Sequence, residues 1–195
     1  MKRRSISVFV AVFGLLSILG TSSAAMAKDK DEEVELKATL RGFEEVSATA
    51  ATAAVSTGAS GSFQGEISED GTNITYTLSY TGLEGNVRQA HIHLGQRSVA
   101  GNIVVFLCQT DAAKDETGLA PTCPQSGTVS GTLTRANVTN RANAQGIEAT
   151  ATQGSTAAEF AEFVSAIRAG VTYANVHSSK FPTGEIRGQI KAHDD

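Results

Sequence analysis

Between Asn73 and Tyr80 the chain alternates cleanly, with Ile74, Tyr76, Leu78 and Tyr80 set against Thr75, Thr77 and Ser79. A period of two sends successive side chains to opposite faces of an extended strand, so this segment predicts one buried face and one wet face. Asp70-Gly71, just upstream, is a tight-turn signal between this run and another, Gly61 to Ser68, which carries Phe63, Gly65 and Ile67 on one face. Further strand signals follow at short intervals: Glu35 to Leu40, Val87 to Leu94, Ile103 to Leu107, Ser126 to Thr134, Thr172 to Val176 and Glu185 to Ile190. The spacing and the Gly punctuation predict an all-β fold, an antiparallel, Greek-key-like sandwich or small barrel.

One segment has a different period. From Ser155 to Ala169 the residues Phe160, Phe163, Val164 and Ile167 fall at i, i+3, i+4 and i+7. Ser155 or Thr156 can cap the start and Gly170 can end it, which predicts one short amphipathic helix over an open end or edge of the β core. Thr139 to Gly154, rich in Gln, Asn and Ala, is read as a strand plus a loop.

The first 27 residues are set apart from the fold. Lys2, Arg3 and Arg4 precede a 14-residue apolar run, Ile6 to Leu19, and Ala25-Met26-Ala27 supplies small residues for a signal peptidase. The run falls short of the roughly 20 apolar residues of a membrane span, so residues 1–27 read as a signal peptide, with an uncleaved anchor as the alternative. Residues 28–33 read as a charged, solvated linker, 34–190 as one domain and 191–195 as a polar tail. Removing residues 1–27 takes three positive charges with them and moves the formal net charge from −4 to −7. An acidic chain with no basic block does not suit nucleic acid or an anionic membrane surface. Export to the periplasm, the cell surface or the medium follows.

Two cysteines, Cys108 and Cys123, lie in the exported part. In an oxidising compartment such a pair forms a disulfide, and no CxxC spacing argues for metal or redox chemistry. The bridge would staple an irregular excursion through Asp111, Asp115 and Gly118.

Three of the four histidines lie in two short strings. In Ala90-His91-Ile92-His93-Leu94, His91 and His93 share one strand face opposite Ala90, Ile92 and Leu94. In Tyr173-Ala174-Asn175-Val176-His177, Tyr173, Asn175 and His177 share a face opposite Ala174 and Val176. With the apolar residues turned inward, the imidazoles are expected on the outer or rim side; His193 is expected to be solvated in the tail.

These strings, with Gly82-Leu83 and Phe181-Pro182-Thr183-Gly184-Glu185-Ile186-Arg187-Gly188-Gln189, resemble the chordin-domain (CHRD) family. The opening Leu40-Arg41-Gly42-Phe43-Glu44-Glu45 and the Gly127 to Leu133 segment are similar to it too, so the likeness runs from about Val34 to Ile190. Ala174 and Ser178 stand where Val and Thr are more usual, and the Cys-bridged loop is not a fixed family feature. The resemblance implies an immunoglobulin-like or superoxide-dismutase-like sandwich, exported either within chordin-type proteins or as a stand-alone bacterial-type protein, and it implies no general activity.

Two functional readings remain open. In one, the chain is a non-catalytic binding or structural module for an extracellular protein or glycan. Asn175, Glu185 and Arg187 then form a hydrogen-bonded network, with Glu185 and Arg187 as an i, i+2 pair and Arg187 holding a carboxylate or carbonyls. Gly184 and Gly188 suggest tight turning or close backbone approach. In the other, His91, His93 and His177 gather copper or zinc. His-x-His is similar to the copper-binding string of copper–zinc superoxide dismutases. The chain lacks their His- and Asp-rich zinc loop, though, and a fourth ligand would have to be His193. No Gly-x-Ser-x-Gly elbow, phosphate loop or dinucleotide fingerprint supports an enzyme. Glu44 and Glu45, as neighbours on a strand, would face opposite ways and make no acid/base pair.

Overall fold

The structure, a computed structural model, describes residues 33–46, 54–150 and 152–193. Residues 1–27, read above as a signal peptide, and residues 28–32 of the expected linker lie outside the described residues. Among the described residues nine strands form: β1 (Val34–Arg41), β2 (Ser60–Ile67), β3 (Asn73–Thr81), β4 (Val87–Leu94), β5 (Asn102–Cys108), β6 (Gly127–Thr134), β7 (Thr172–Ser178), β8 (Ile186–Gln189) and β9 (Lys191–His193). An α-helix, α1 (Ala157–Arg168), interrupts them. Every strand pairing is antiparallel, in the order β5-β4-β7-β8-β1-β2-β3-β6, with β9 also on β1.

The joint between β8 and β1 is narrow, with only Arg41 opposite Arg187 in register. It divides the path into two four-stranded layers, β5-β4-β7-β8 and β1-β2-β3-β6, folded onto one core. Leu36, Leu40, Phe63, Ile74 and Leu78 come from one layer and Ala90, Ile92, Val105, Leu107, Ala174, Val176 and Ile186 from the other, all buried in a single cluster. Each large aliphatic side chain removed from water there contributes about 1.5–3 kcal/mol before entropy is charged. The Tyr76 hydroxyl crosses between layers and donates to the Leu107 carbonyl at 2.6 Å, and the Tyr80 hydroxyl on the same face donates to the Pro124 carbonyl, so both polar atoms of that face of β3 are satisfied.

The alternation of β3 gives the buried and wet faces its sequence predicts, and the Asp70-Gly71 turn joins β2 to β3. Thr156 caps α1, its hydroxyl accepting from Glu159 N–H while the Glu159 carboxylate accepts from Thr156 N–H. This reciprocal box satisfies two of the helix's orphan donors. The helix buries Phe160, Phe163, Val164 and Ile167 and lies between the Arg135–Asn137 turn and β9.

Thr139 to Gly154 departs from the strand-plus-loop expectation: it holds a 3-10 segment, Asn140–Gln145, and only isolated bridges. The cause is side-chain competition for the backbone. Asn143 both accepts from Ala149 N–H and donates to the Ala149 carbonyl, closing a local loop where a ladder would otherwise run. The stretch read as a polar tail extends the sheet through β9, whose Lys191, Ala192 and His193 sit opposite Lys37, Leu36 and Glu35.

Cys108 and Cys123 form a disulfide across a sequence separation of 15. Closing a loop of that size stabilises by about 3 kcal/mol in the chain-entropy treatment. Inside it, the buried Asp115 carboxylate accepts from the backbone N–H groups of Thr117, Leu119 and Ala120 and from the Thr117 hydroxyl.

Candidate metal centre

The pairing of β4 with β7 sets His91 opposite Asn175 and His93 opposite Tyr173, while β8 brings Arg187 opposite Asn175. One face of this layer therefore carries His91, His93, Tyr173, Asn175, His177 and Arg187, as the period of two requires. The expected position of that face is corrected. His91, His93 and His177 are 0%, 7% and 6% exposed, and all seven residues of β7 are buried. The face lies under other parts of the chain: the Gln96–Gly101 loop, Glu45 and the turn at Pro182, with Arg141 over Phe106 at its side.

The ring nitrogens can be assigned from their partners. His93 Nδ1 lies 2.9 Å from the Gly101 carbonyl and His177 Nδ1 3.0 Å from the Pro182 carbonyl. A carbonyl only accepts, so both rings carry hydrogen on Nδ1 and turn an Nε2 lone pair inward. His91 Nδ1, 3.2 Å from His177 Nε2, then donates to that lone pair. Buried His91 Nε2, His93 Nε2 and Asn175 Oδ1 are left without a partner. Each such group costs about 1–3 kcal/mol of lost hydration unless something else satisfies it.

Each of the three imidazoles offers a nitrogen within 4.8 Å of those of the other two. Two donors at about 2.0–2.1 Å from a tetrahedral ion stand about 3.3–3.4 Å apart. The 3.2 Å between His91 Nδ1 and His177 Nε2 is close to that spacing, so an ion held there would take the place of the hydrogen bond between them, the His91 hydrogen moving to Nε2. The carbonyls behind His93 and His177 fix ring orientation and tautomer, as outer partners do for metal-binding histidines. Burial also holds the rings neutral: desolvation is the largest cause, seconded at His91 and His93 by repulsion from His177, and it lowers His93 to about 3, His177 to about 4 and His91 well below its ordinary value. Neutral imidazole is the form that binds a metal.

Aromatic and cationic groups back the rings. His93 stacks on Tyr173 with centroids 4.7 Å apart, and the Arg187 guanidinium lies 3.3 Å from the centroid of Tyr173. His91 meets the edge of Phe106 at 4.4 Å, and Arg141 lies 5.4 Å from the Phe106 centroid. Arg187, 2% exposed, also donates to the carbonyls of Gln96 and Val99, and Tyr173 Oη accepts from Gly101 N–H. The loop that places the Gly101 carbonyl on His93 is thereby tied down from three sides.

Glu185 lies apart from Arg187: one oxygen accepts from the Thr57 hydroxyl and Glu84 N–H, and the other is unpartnered. The expected i, i+2 pair is not an ion pair among the described residues. His193, on β9, lies outside the three-histidine group. Glu44 and Glu45 leave β1 through a 3-10 turn, Gly42–Glu44, rather than a strand. Glu44 pairs with Arg97 in half-exposed surroundings, while Glu45 turns inward, 2% exposed, 3.4 Å from Asn175 Nδ2. Desolvation raises the Glu45 carboxyl to about 7. Sequence reasoning set Glu45 aside, and the signal that pointed inward was Gly184. At φ 131° it takes a conformation L side chains rarely adopt, and a Cβ there would stand 2.3 Å from Glu45 Oε2. Gly188 marks a second close approach, of β8 to the Thr39 carbonyl, where a Cβ would come within 2.3 Å.

Among the described residues no helix is long and apolar enough to cross a membrane. No curated protein is similar enough to the chain to count as a relative. The family model for the CHRD domain matches residues 36–190, the whole sandwich from β1 to β8 with the histidine face inside it, and the chain therefore belongs to the CHRD domain family.

Proposed function

We propose that this CHRD-domain protein is an exported, non-catalytic module whose histidine face holds one copper or zinc ion on His91, His93 and His177. The observation that carries the reading is the convergence of three neutral imidazoles within 4.8 Å, two with Nδ1 committed to carbonyls. A purely structural histidine cluster gains nothing from leaving the His93 Nε2 lone pair unpaired in the interior. Asn175 and Arg187 serve the site from behind, by filling the face and fixing the loop over it. Export is supported by the leader-like residues 1–27 and by a disulfide suited to an oxidising compartment.

Elemental analysis of the protein purified from its native compartment tests this, alongside the His91→Ala/His93→Ala variant. The expected result is copper or zinc near one per chain, lost in the variant. No metal after incubation with both ions would return the histidines to a structural role and turn attention to extracellular protein or glycan partners.

A further inference from the structure

We propose that the ion is cuprous: the site is built for Cu(I) in preference to Zn(II) or Cu(II). This rests on the metal reading above and adds the charge and coordination number of the ion.

The first ground is the donor set. The group that can reach one ion consists of three imidazoles and no carboxylate. Both cysteines are consumed in the disulfide, so no thiolate is on offer among the described residues. Glu45 spends its oxygens on Val46 N–H and Asn175 Nδ2. No anion is therefore present in the ligand set to offset a second positive charge.

The second ground is what stands behind the ligands. Arg187 and His93 both contact the Tyr173 ring, and Arg141 and His91 both contact the Phe106 ring. In both cases one aromatic ring touches a guanidinium and an imidazole, which keeps a cation close behind the ligands. Arg141 shares its charge with Glu116 at 3.2 Å, whereas Arg187 donates to carbonyls and has no described carboxylate in ion-pair contact, with Glu45 and Glu44 near enough to offset only part of its charge. Coulomb repulsion scales with the charge of the incoming ion, so a dication meets twice the opposition of a monocation from each guanidinium. That opposition is screened least in a buried site.

The third ground is coordination number. Zn(II) is held almost always by four donors, with water as the fourth where the protein offers three. Here the three rings are nearly inaccessible to solvent. Cu(I), a d10 monocation, is satisfied by two or three nitrogen donors and requires no water.

The test is competitive titration of the apo form of the mature chain. Cu(I) is added under anoxic conditions against bicinchoninate, and Zn(II) and Cu(II) are added separately against chromophoric chelators. The expected result is one Cu(I) per chain, bound at least 1,000-fold more tightly than Zn(II), in an EPR-silent complex whose X-ray absorption shows two or three nitrogen neighbours. Arg141→Gln, at a side chain 43% exposed, removes one backing charge without opening the core. It should raise Zn(II) affinity about 2- to 5-fold and Cu(I) affinity by less. Zn(II) or Cu(II) binding as tightly as Cu(I) would overturn the cuprous assignment while leaving the metal site standing. Uptake of none of the three ions would sink the metal site and this inference together.

Discussion

Strands β3 and β7 lie in opposite layers of one sandwich. On β3 the apolar set is buried while Thr75 and Thr81 are exposed and Thr77 and Ser79 half-buried; on β7 all seven residues are buried. The outer face of the β3 layer is finished in hydroxyls that bond across strands, Thr77 with Ser130 and Ser79 with Thr128. The outer face of the β7 layer is a second interior, filled with imidazoles, an amide, a guanidinium and aromatic rings. The first layer needs its partner only on one side. The second depends on loops from both ends of the domain to keep water off its polar face, and polar groups confined there have to find partners or a ligand.

Arg187→Ala is the most damaging way to break this contrast. It strands the carbonyls of Gln96 and Val99 and vacates the face of Tyr173, so we expect a loss of about 3–5 kcal/mol in urea denaturation. A loss under about 1 kcal/mol would mean that water reaches this face freely and that it is no interior at all.

Acid separates the layers next. In the metal-free protein the three histidines titrate below their ordinary 6.5 when folded, so the unfolded chain takes up their protons first. Stability from this source is complete above about pH 6.5 and is lost progressively as pH falls toward the folded values of about 4 and 3. Glu45 has the opposite sign: raised from 4.5 to about 7, it stabilises below 4.5, and that contribution fades as pH rises through 7. Three groups outweigh one, so the urea midpoint should climb from pH 4.5 to 6.5, and Glu45→Gln should make the climb steeper. A flat profile would contradict the burial of the imidazoles.

Thr77→Ala is the smallest change and sharpens the comparison from the other side. It removes one hydroxyl bond on the wet face, and thermal unfolding should report less than about 0.5 kcal/mol.

The same contrast explains what could be read in the sequence. Alternation, the Asp70-Gly71 turn, the i, i+3, i+4, i+7 helix and the cysteine pair are local signals, and each is realised where the sequence puts it. That His91 and His93 share a face is equally local. Whether that face is wet is not, because the answer depends on Arg187 catching the Gln96–Gly101 loop some 90 positions earlier in the chain. Glu45 was illegible for the same reason: two adjacent glutamates look like opposite sides of a strand until the chain turns through Gly42–Glu44. In Thr139 to Gly154, Asn143 closes on Ala149, and weak strand propensity could not reveal that competition.

The cover over β5 has a consequence for behaviour in a crowded solution. As the terminal strand of the sheet it would normally present an unpaired row of backbone donors and acceptors, a template for intermolecular pairing. Here Thr139 N–H donates to the Val104 carbonyl, the Thr139 hydroxyl to that of Ile103, Val138 bridges Val105, and Gln109 beyond the strand pairs with Thr122. The disulfide at Cys108 holds that cover in place. The chain thus supplies its own blocking segments, so that self-association into cross-β aggregates through this edge first requires peeling back Thr122 and the Val138–Thr139 stretch.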